Sequence, residues 1–499
     1  MLLAFAAFCS ETTMADTSRP CDQVSTSYTK TFERDTGMEM DVAHLLPLTE
    51  KYSARVPRYT SYPTAVEFTP NFSPEQWMRE LRADIHEQGP KTSLYLHIPF
   101  CKTLCFFCAC AREGGTNRSR VSPYLYSVMK ELASYAEFAP DMEISQLHLG
   151  GGSPNYLNPD DLCTVIEAFR GFLPRWSENA ELSIEFDPRE TSLIHVRAAR
   201  QLGFSRISFG VQDFHPDVQR AIHRKQSKEA TALLVQESRA QGIGEINFDL
   251  IYGLPEQTLD TWRSTIIDVL ELRPDRLAVY GYAHVDWRAK NQQAFNTKCT
   301  LPTPQERVAL FSLAHQMLTE AGYYYLGMDH FALENDTLSR AHREGTMRRN
   351  FMGYSTQAGV RVLGLGASAI SSTKRTYAQN HIPIQEYNSA IHSLGSAVAR
   401  GMNLNEDDIL RKEIIEDIMC KGRLDLHDYA GRYTGPLDAL FPNFEERLEQ
   451  LRSDELITKN GSIIQATQTG RYFLRTIASL FDSYLPKYTG GQKVFSSSC

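Results

Sequence analysis

From Thr92 to about Tyr280, short apolar runs alternate with amphipathic stretches. The runs at 94–97, 146–150, 182–186, 206–209, 246–251 and 276–280 have the length and content of buried strands. Between them, in 123–137, 160–172, 193–202, 228–241 and 259–270, apolar residues recur every three or four positions, the stripe of a helix packed on one face. Strict alternation of strand and helix predicts parallel strands joined by right-handed crossovers. Six units fall short of a closed eight-stranded barrel, so the expectation is an α/β fold built on a partial (β/α)6 barrel over 91–380. Such barrels carry their reactive groups at the C-terminal ends of the strands, and there the chain puts clustered cysteines, a glycine run, Glu185, Gln212 and Asp249.

The flanks read differently. Residues 1–40, rich in Ser, Thr and Asp, are expected to be a disordered extension. Residues 41–90 are expected to close over the site: 45–54 reads as helix, and Pro57-Arg-Tyr-Thr-Ser-Tyr-Pro-Thr64, with a proline near each end, as extended chain. After about Asn380 the pattern turns helical, most clearly at 406–421 and 444–453. Asn460-Gly461 between alternating residues signals a two-residue hairpin, and 470–483 reads as a closing helix. Residues 381–499 are therefore expected to form a mostly helical domain with a winged-helix-like end.

A hydrophobic fraction of 42% with 22% charged residues suits a globular enzyme with ample core. The net charge of −8 argues against nucleic acid and anionic membrane as partners, and against DNA binding by the winged-helix-like end. An anionic substrate must then be met by local Arg and Lys. Ten cysteines in 499 residues are too dilute for a disulfide scaffold, so reduced thiols and a cytoplasmic location are expected. The apolar run at residues 1–9 lacks the basic flank and length of a signal peptide or membrane span, and only faintly suggests a lipoprotein signal.

The chemistry concentrates in Cys101, Cys105, Cys108 and Cys110, which follow directly on the first strand. Thiolates spaced C-x3-C-x2-C can hold three irons of a [4Fe-4S] cluster and leave the fourth without a protein ligand. Structural zinc would also accept Cys105-x2-Cys108 but draws its other ligands from a second pair, and Cys163, Cys299 and Cys420 stand alone. Gly150-Gly151-Gly152-Ser153-Pro154 lets backbone approach a ligand closely, and without a following Gly-Lys-Ser/Thr it is not a phosphate loop. Gly364-Leu-Gly-Ala-Ser-Ala369 has dinucleotide-like spacing but no ribose-binding acid about 20 residues on. His97 reads as a core histidine.

The cysteine loop after the first strand and the glycine run after the second resemble the radical S-adenosylmethionine (SAM) superfamily. Six further stretches narrow the resemblance to the oxygen-independent coproporphyrinogen III oxidases: 57–64, Ser183-Ile-Glu-Phe-Asp-Pro-Arg-Glu190, Gly210-Val-Gln-Asp213, Asp249-Leu-Ile-Tyr-Gly-Leu-Pro255, Gly327-Met-Asp-His-Phe331 and Tyr377-Ala-Gln-Asn380. That family oxidatively decarboxylates two propionate side chains of coproporphyrinogen III to vinyl groups, with a 5′-deoxyadenosyl radical as hydrogen abstractor. The resemblance implies one [4Fe-4S] cluster on Cys101, Cys105 and Cys108, and two SAM molecules. The iron-bound SAM would meet Tyr95, Gly151, Glu185 and Ile370. The second would meet Phe107, Gly152, Ser153, Gln212, Arg224, Asp249 and Ala283.

Cys110, Tyr59 and Tyr62 are the catalytic candidates, and Arg58, Arg348 and Arg349 the candidates for pairing with propionates. An electron donor such as flavodoxin or ferredoxin, an electron acceptor the sequence does not name, and a monomeric state complete the expectation. Ala109, Ser153 and Asp286 depart from the family pattern, and residues 1–40 have no counterpart in it and read as an upstream start. A cluster-containing haem chaperone and a radical SAM methyltransferase that opens haem are the alternatives; Cys110 and 58–64 speak against the first.

Overall fold

The computed structural model describes residues 42–357, 359–433, 437–488 and 494–495. The expected extension at 1–40 lies outside them. Six parallel strands form the barrel: β1 Lys91–Ile98, β2 Glu143–Gly151, β3 Trp176–Phe186, β4 Arg206–Gln212, β5 Glu245–Tyr252 and β6 Arg276–Gly281. Helices Val121–Phe138, Pro159–Phe172, Leu193–Gln201, Lys228–Ala240 and Leu259–Leu272 cross between them as the alternation requires.

The side-chain alternation explains how an apolar-walled barrel keeps a polar interior. In β4, Ile207, Phe209 and Val211 are fully buried, while Arg206, Ser208, Gly210 and Gln212 between them are half-buried. In β5, Ile246, Phe248 and Leu250 are fully buried, and Asn247 and Asp249 lie on the opposite face. The apolar face of each strand meets the helices and the polar face lines the barrel interior. Parallel register then stacks functional positions side by side: Tyr95 beside His148, His148 beside Ser183, Glu185 beside Ser208, and Gly210 beside Asp249.

The sheet extends past both barrel edges. Arg361–Leu365 pairs parallel to β1, followed outward by Ile370–Ser372, Thr376–Asn380 and Val398–Asn403 in antiparallel succession. On the other side His330–Leu333 and Tyr323–Gly327 add antiparallel to β6. Val398–Asn403 adds a strand beyond Asn380, where the pattern was expected to turn helical. Gly401 in that strand lies so close to Phe72 and the Tyr377 carbonyl that a Cβ would fall 2.4 Å from the Phe72 ring, so a strand of weak propensity forms where two elements need close approach.

Beyond the sheet, helix Glu406–Lys421 is capped by Asn405 and Asp408 in a reciprocal capping box, opens with three acids, and ends at Gly422 with φ +62°. Its Leu410, Ile414, Ile418 and Met419 form a second core with Phe444, Leu448, Ile457, Ile464 and Phe473. The hairpin appears at Ile457–Asn460 and Ile463–Ala466, with Arg423–Asp425 as a third strand. The closing helix expected at 470–483 is corrected to three short pieces, Thr469–Phe473, Leu474–Ala478 and Ser479–Phe481. The first helix runs Val42–Lys51, ending three residues earlier than the pattern suggested. Leu45, Leu48, Tyr59 and Tyr62 join the second core, so the segment before the barrel packs on the C-terminal domain.

Candidate active site

Cys101, Cys105, Cys108 and Cys110 line a cavity of about 210 Å³ together with Phe107, Gly151, Gly152, Ser153, Glu185, Gln212, Arg224, Asp249 and Tyr280. Backbone pairing fixes both sides of the cysteine loop's entrance. Phe100–Cys101 pairs with Glu113–Gly114, and the N–H groups of Gly152 and Ser153 donate to the carbonyls of Ile98 and Phe100, each at 2.8 Å. Gly152 is obligatory there, because a Cβ would sit 2.8 Å from the Phe100 carbonyl oxygen. Gly151, at φ +112°, adopts the left-handed region and leaves its N–H 3.3 Å from Glu185 Oε2.

The top of the loop hangs on two adjacent amides that sequence reasoning missed. Asn291 Nδ2 donates to the carbonyls of Cys105 (3.0 Å), Phe106 (2.8 Å) and Cys108 (2.9 Å). Gln292 Nε2 donates to Phe107 (2.7 Å) and Ala283 (3.2 Å). Four successive loop carbonyls are thereby turned outward. No periodicity marked these residues, which lie about 185 positions from their partners.

Two guanidiniums face the Cys105 sulfur. Arg189 Nη2 and Arg224 Nη1 each stand 3.4 Å from it, and Asp187 anchors both guanidiniums, at 2.6 Å to Arg189 and 3.1 Å to Arg224. Burial raises the Asp187 carboxyl, but Arg224 and Arg189 override it and hold it down to about 2. Asp187 and Arg189 belong to the Ser183–Glu190 stretch, where sequence assigns them no role; only the fold shows what they do. Burial pushes the Cys101 thiol up to about 11, a proton that metal coordination displaces.

The far wall is a polar relay. His97 Nε2 bonds the Ala111 carbonyl at 2.8 Å, which makes Nε2 the donor and Nδ1 the acceptor for Tyr95 Oη at 3.0 Å. His148 lies between Ser183 Oγ (2.7 Å) and Glu185 Oε1 (3.0 Å), with Tyr95 stacked on its ring. Burial raises the Glu185 carboxyl, yet the bond and charge of His148 and the Gly151 N–H leave it below its ordinary value. Burial first, and then the charge of Glu185, raise Asp249 to about 6 despite bonds from Asn247 and Ser208.

Several expected site residues are not among those lining this cavity. Ile370 packs by its carbonyl against Gly364, the register partner of Tyr95. Ala283 lines a neighbouring cavity of about 220 Å³ that also holds Arg58. Arg58 is ion-paired with Asp329 and lies over the Tyr280 ring at 5.5 Å. Arg348 and Arg349 line a third cavity, about 450 Å³, where Arg348 Nη1 turns back to the carbonyls of Gly345 and Met347. Tyr59 and Tyr62 also border it, but their hydroxyls bond Asp482 (2.9 Å) and Ser483 (3.0 Å) and do not reach the cysteine cavity.

The donor set suits a cubane. Among the described residues no three His, Cys, Asp or Glu side chains converge on one ion, as tetrahedral zinc demands, whereas a cluster takes each thiolate on a different iron. The glycine cradle opens the approach, and Arg224 Nε is buried in the wall without a hydrogen-bond partner.

Residues 95–269 match the model of the radical SAM superfamily, and 404–473 that of the HemN C-terminal domain. The fold and the site define a radical SAM enzyme, and membership implies a [4Fe-4S] cluster and SAM. The chain is 38% identical over 441 residues to the oxygen-independent coproporphyrinogen III oxidase of Pseudomonas aeruginosa, covering 88% of this chain and 95% of that one. The enzyme of the same name from Bradyrhizobium diazoefficiens is 39% identical over 438 residues, covering 86% and 95%. The solved coproporphyrinogen III oxidase (HemN) of Escherichia coli superposes with a TM-score of 0.81 at 36% identity, covering 86% of this chain and all of that one. The chain belongs to the oxygen-independent coproporphyrinogen III oxidases.

Proposed function

We infer that this protein oxidatively decarboxylates two propionate side chains of coproporphyrinogen III to vinyl groups, giving protoporphyrinogen IX. The observation that carries the reading is the convergence of three thiols, the glycine cradle, Glu185 and Asp249 on one cavity, in a chain whose full-length relatives bear this activity's name. The cluster and SAM, when bound, supply the 5′-deoxyadenosyl radical strong enough to take a propionate β-hydrogen.

The chain's own residues hold, orient and shield. Cys101, Cys105 and Cys108 would ligate the cluster, with Arg189 and Arg224 placing donors on the Cys105 sulfur. Glu185, kept ionised, suits the SAM ammonium, with Tyr95, Gly151 and Ile370 around it. A second SAM would draw on Phe107, Gly152, Ser153, Gln212, Arg224 and Asp249; Ala283 is tied to Phe107 through Gln292. Arg224 is already committed to Asp187, which leaves its unpartnered Nε as the atom for that carboxylate. Tyr59 and Tyr62 fit a positioning role, holding the Arg58 segment against the C-terminal domain. Arg58 and Arg349 fit propionate pairing better than Arg348. Cys110, exposed at the cavity mouth, is the remaining catalytic candidate. A flavodoxin or ferredoxin as donor, a monomer and a cytoplasmic location accompany the reading; no helix of the described residues is long and apolar enough to cross a membrane.

Anaerobic incubation of the reconstituted protein with coproporphyrinogen III or haem tests it. Consumption of coproporphyrinogen III with two vinyl groups formed is the expected result. Haem consumption, or haem binding without turnover of either, would overturn it in favour of the methyltransferase or the chaperone.

A further inference from the structure

Around Tyr280, which walls the cysteine cavity, two guanidiniums and an imidazole form a cluster with unused polar atoms. His330 opens the strand His330–Leu333, opposite Ala278 of β6, and its ring is wedged between two tyrosines. It meets Tyr280 edge-on at 5.9 Å and Tyr354 edge-on at 4.9 Å. Each tyrosine carries an arginine: Arg58 Cζ lies 5.5 Å from the Tyr280 centroid, and Arg349 Cζ 4.8 Å from that of Tyr354. Arg58 is neutralised by Asp329, whereas Nε and Nη1 of Arg349 and Nδ1 of His330 are all buried with no hydrogen-bond partner. The nearby carboxyl of Glu416 accepts the backbone N–H of Arg349, and its charge interactions are with Lys412, Arg348 and Asp417. Tyr354 spends its hydroxyl on the Met419 carbonyl.

Three buried polar atoms without partners, two on the Arg349 guanidinium and one on His330, suit a recess for a small anion of single charge. A guanidinium presents paired N–H groups that match the two oxygens of a carboxylate, and an imidazole can add a third contact. Residues around the recess also border three cavities. Tyr280 walls the cysteine cavity, Arg58 and Asp329 the 220 Å³ cavity, and Arg349 the 450 Å³ cavity. A flat macrocycle with several carboxylates would present one here while an adjacent side chain faced the cysteines.

We propose that Arg349 and His330, with Arg58 across Tyr280, bind one carboxylate of the tetrapyrrole and so set which propionate reaches the cavity. This rests on the function inferred above and adds His330 as a specificity-determining residue. His330 anchors rather than reacts: its ring contacts the macrocycle's carboxylate, not the reacting carbon.

The test uses cluster-loaded protein under anaerobic conditions, with R349M, R349K, H330A and H330N beside the unaltered chain. Affinity is read by fluorescence titration with coproporphyrin III, the stable oxidised tetracarboxylate, and with its tetramethyl ester; KM and kcat are read with coproporphyrinogen III. Iron content and melting temperature serve as fold controls. R349M is expected to weaken acid binding and raise KM by roughly tenfold or more, and H330A by several-fold. R349K and H330N should recover part of the loss, and ester binding should not change. Wild-type acid affinity in folded R349M, or equal losses for acid and ester, would overturn the pocket. Failure of the unaltered chain to turn over coproporphyrinogen III would instead overturn the inferred function, while the acid-against-ester comparison would still report on the recess.

Discussion

At the scale of single residues, the cluster loop depends on donors supplied from far along the chain. Asn291 alone serves three carbonyls, of Cys105, Phe106 and Cys108. N291A should cost about 1–3 kcal/mol of loop stability, seen as faster iron loss to a chelator than in the unaltered protein. An unchanged loss rate would mean that the loop holds itself by its own backbone. The contrast with the cysteines explains what could be read in advance. C-x3-C-x2-C is a local spacing with one dominant chemistry, so three ligand candidates were legible from eight consecutive positions. Asn291, Gln292, Asp187 and His330 act through partners brought together only by the fold, and amides in a polar loop carry no pattern of their own. Tyr59 and Tyr62 show the converse: a motif marks a residue without showing where its hydroxyl points, here to Asp482 and Ser483.

At the scale of elements, the six barrel strands were legible because each alternates with a helix of different period. The strands flanking them were not. Arg361–Leu365 and Thr376–Asn380 are buried at every position, so they show no period of two, and five residues are too few to separate a buried strand from other buried chain. The turn from β2 into the glycine run is the element most sensitive to a small change. G152A would drive a Cβ to 2.8 Å from the Phe100 carbonyl and 2.9 Å from that of Ile98. Because both obstacles are backbone, the Phe100–Cys101 strand must shift, at about 1–3 kcal/mol, with iron content falling alongside melting temperature. G152A protein with full iron content and unchanged melting temperature would contradict the close approach.

At the scale of the whole molecule, one buried carboxylate joins the barrel edge to the helices over it. Glu131 accepts from Gly366 N–H (2.9 Å), Asn380 Nδ2 (2.7 Å) and Tyr387 Oη (2.7 Å), and burial outweighs these bonds to raise it to about 7. The folded protein therefore holds a proton that the unfolded chain releases near its ordinary pKa of about 4.5. Stability should fall as pH rises from about 4.5 to about 7, by an order of 3 kcal/mol from this group. E131Q should flatten the fall of melting temperature over that window; an unchanged slope would assign it to other carboxyls. The protein's central act is hydrogen abstraction from a propionate, for which Cys101, Cys105 and Cys108 would hold the cluster that supplies the radical. The most direct measurement gives the reconstituted protein SAM, a reductant and coproporphyrinogen III deuterated at the propionate β-carbons, with mass spectrometry of both products. Deuterium in 5′-deoxyadenosine together with a tetrapyrrole bearing two vinyl groups is the predicted result. Unlabelled 5′-deoxyadenosine with an intact tetracarboxylate would contradict it.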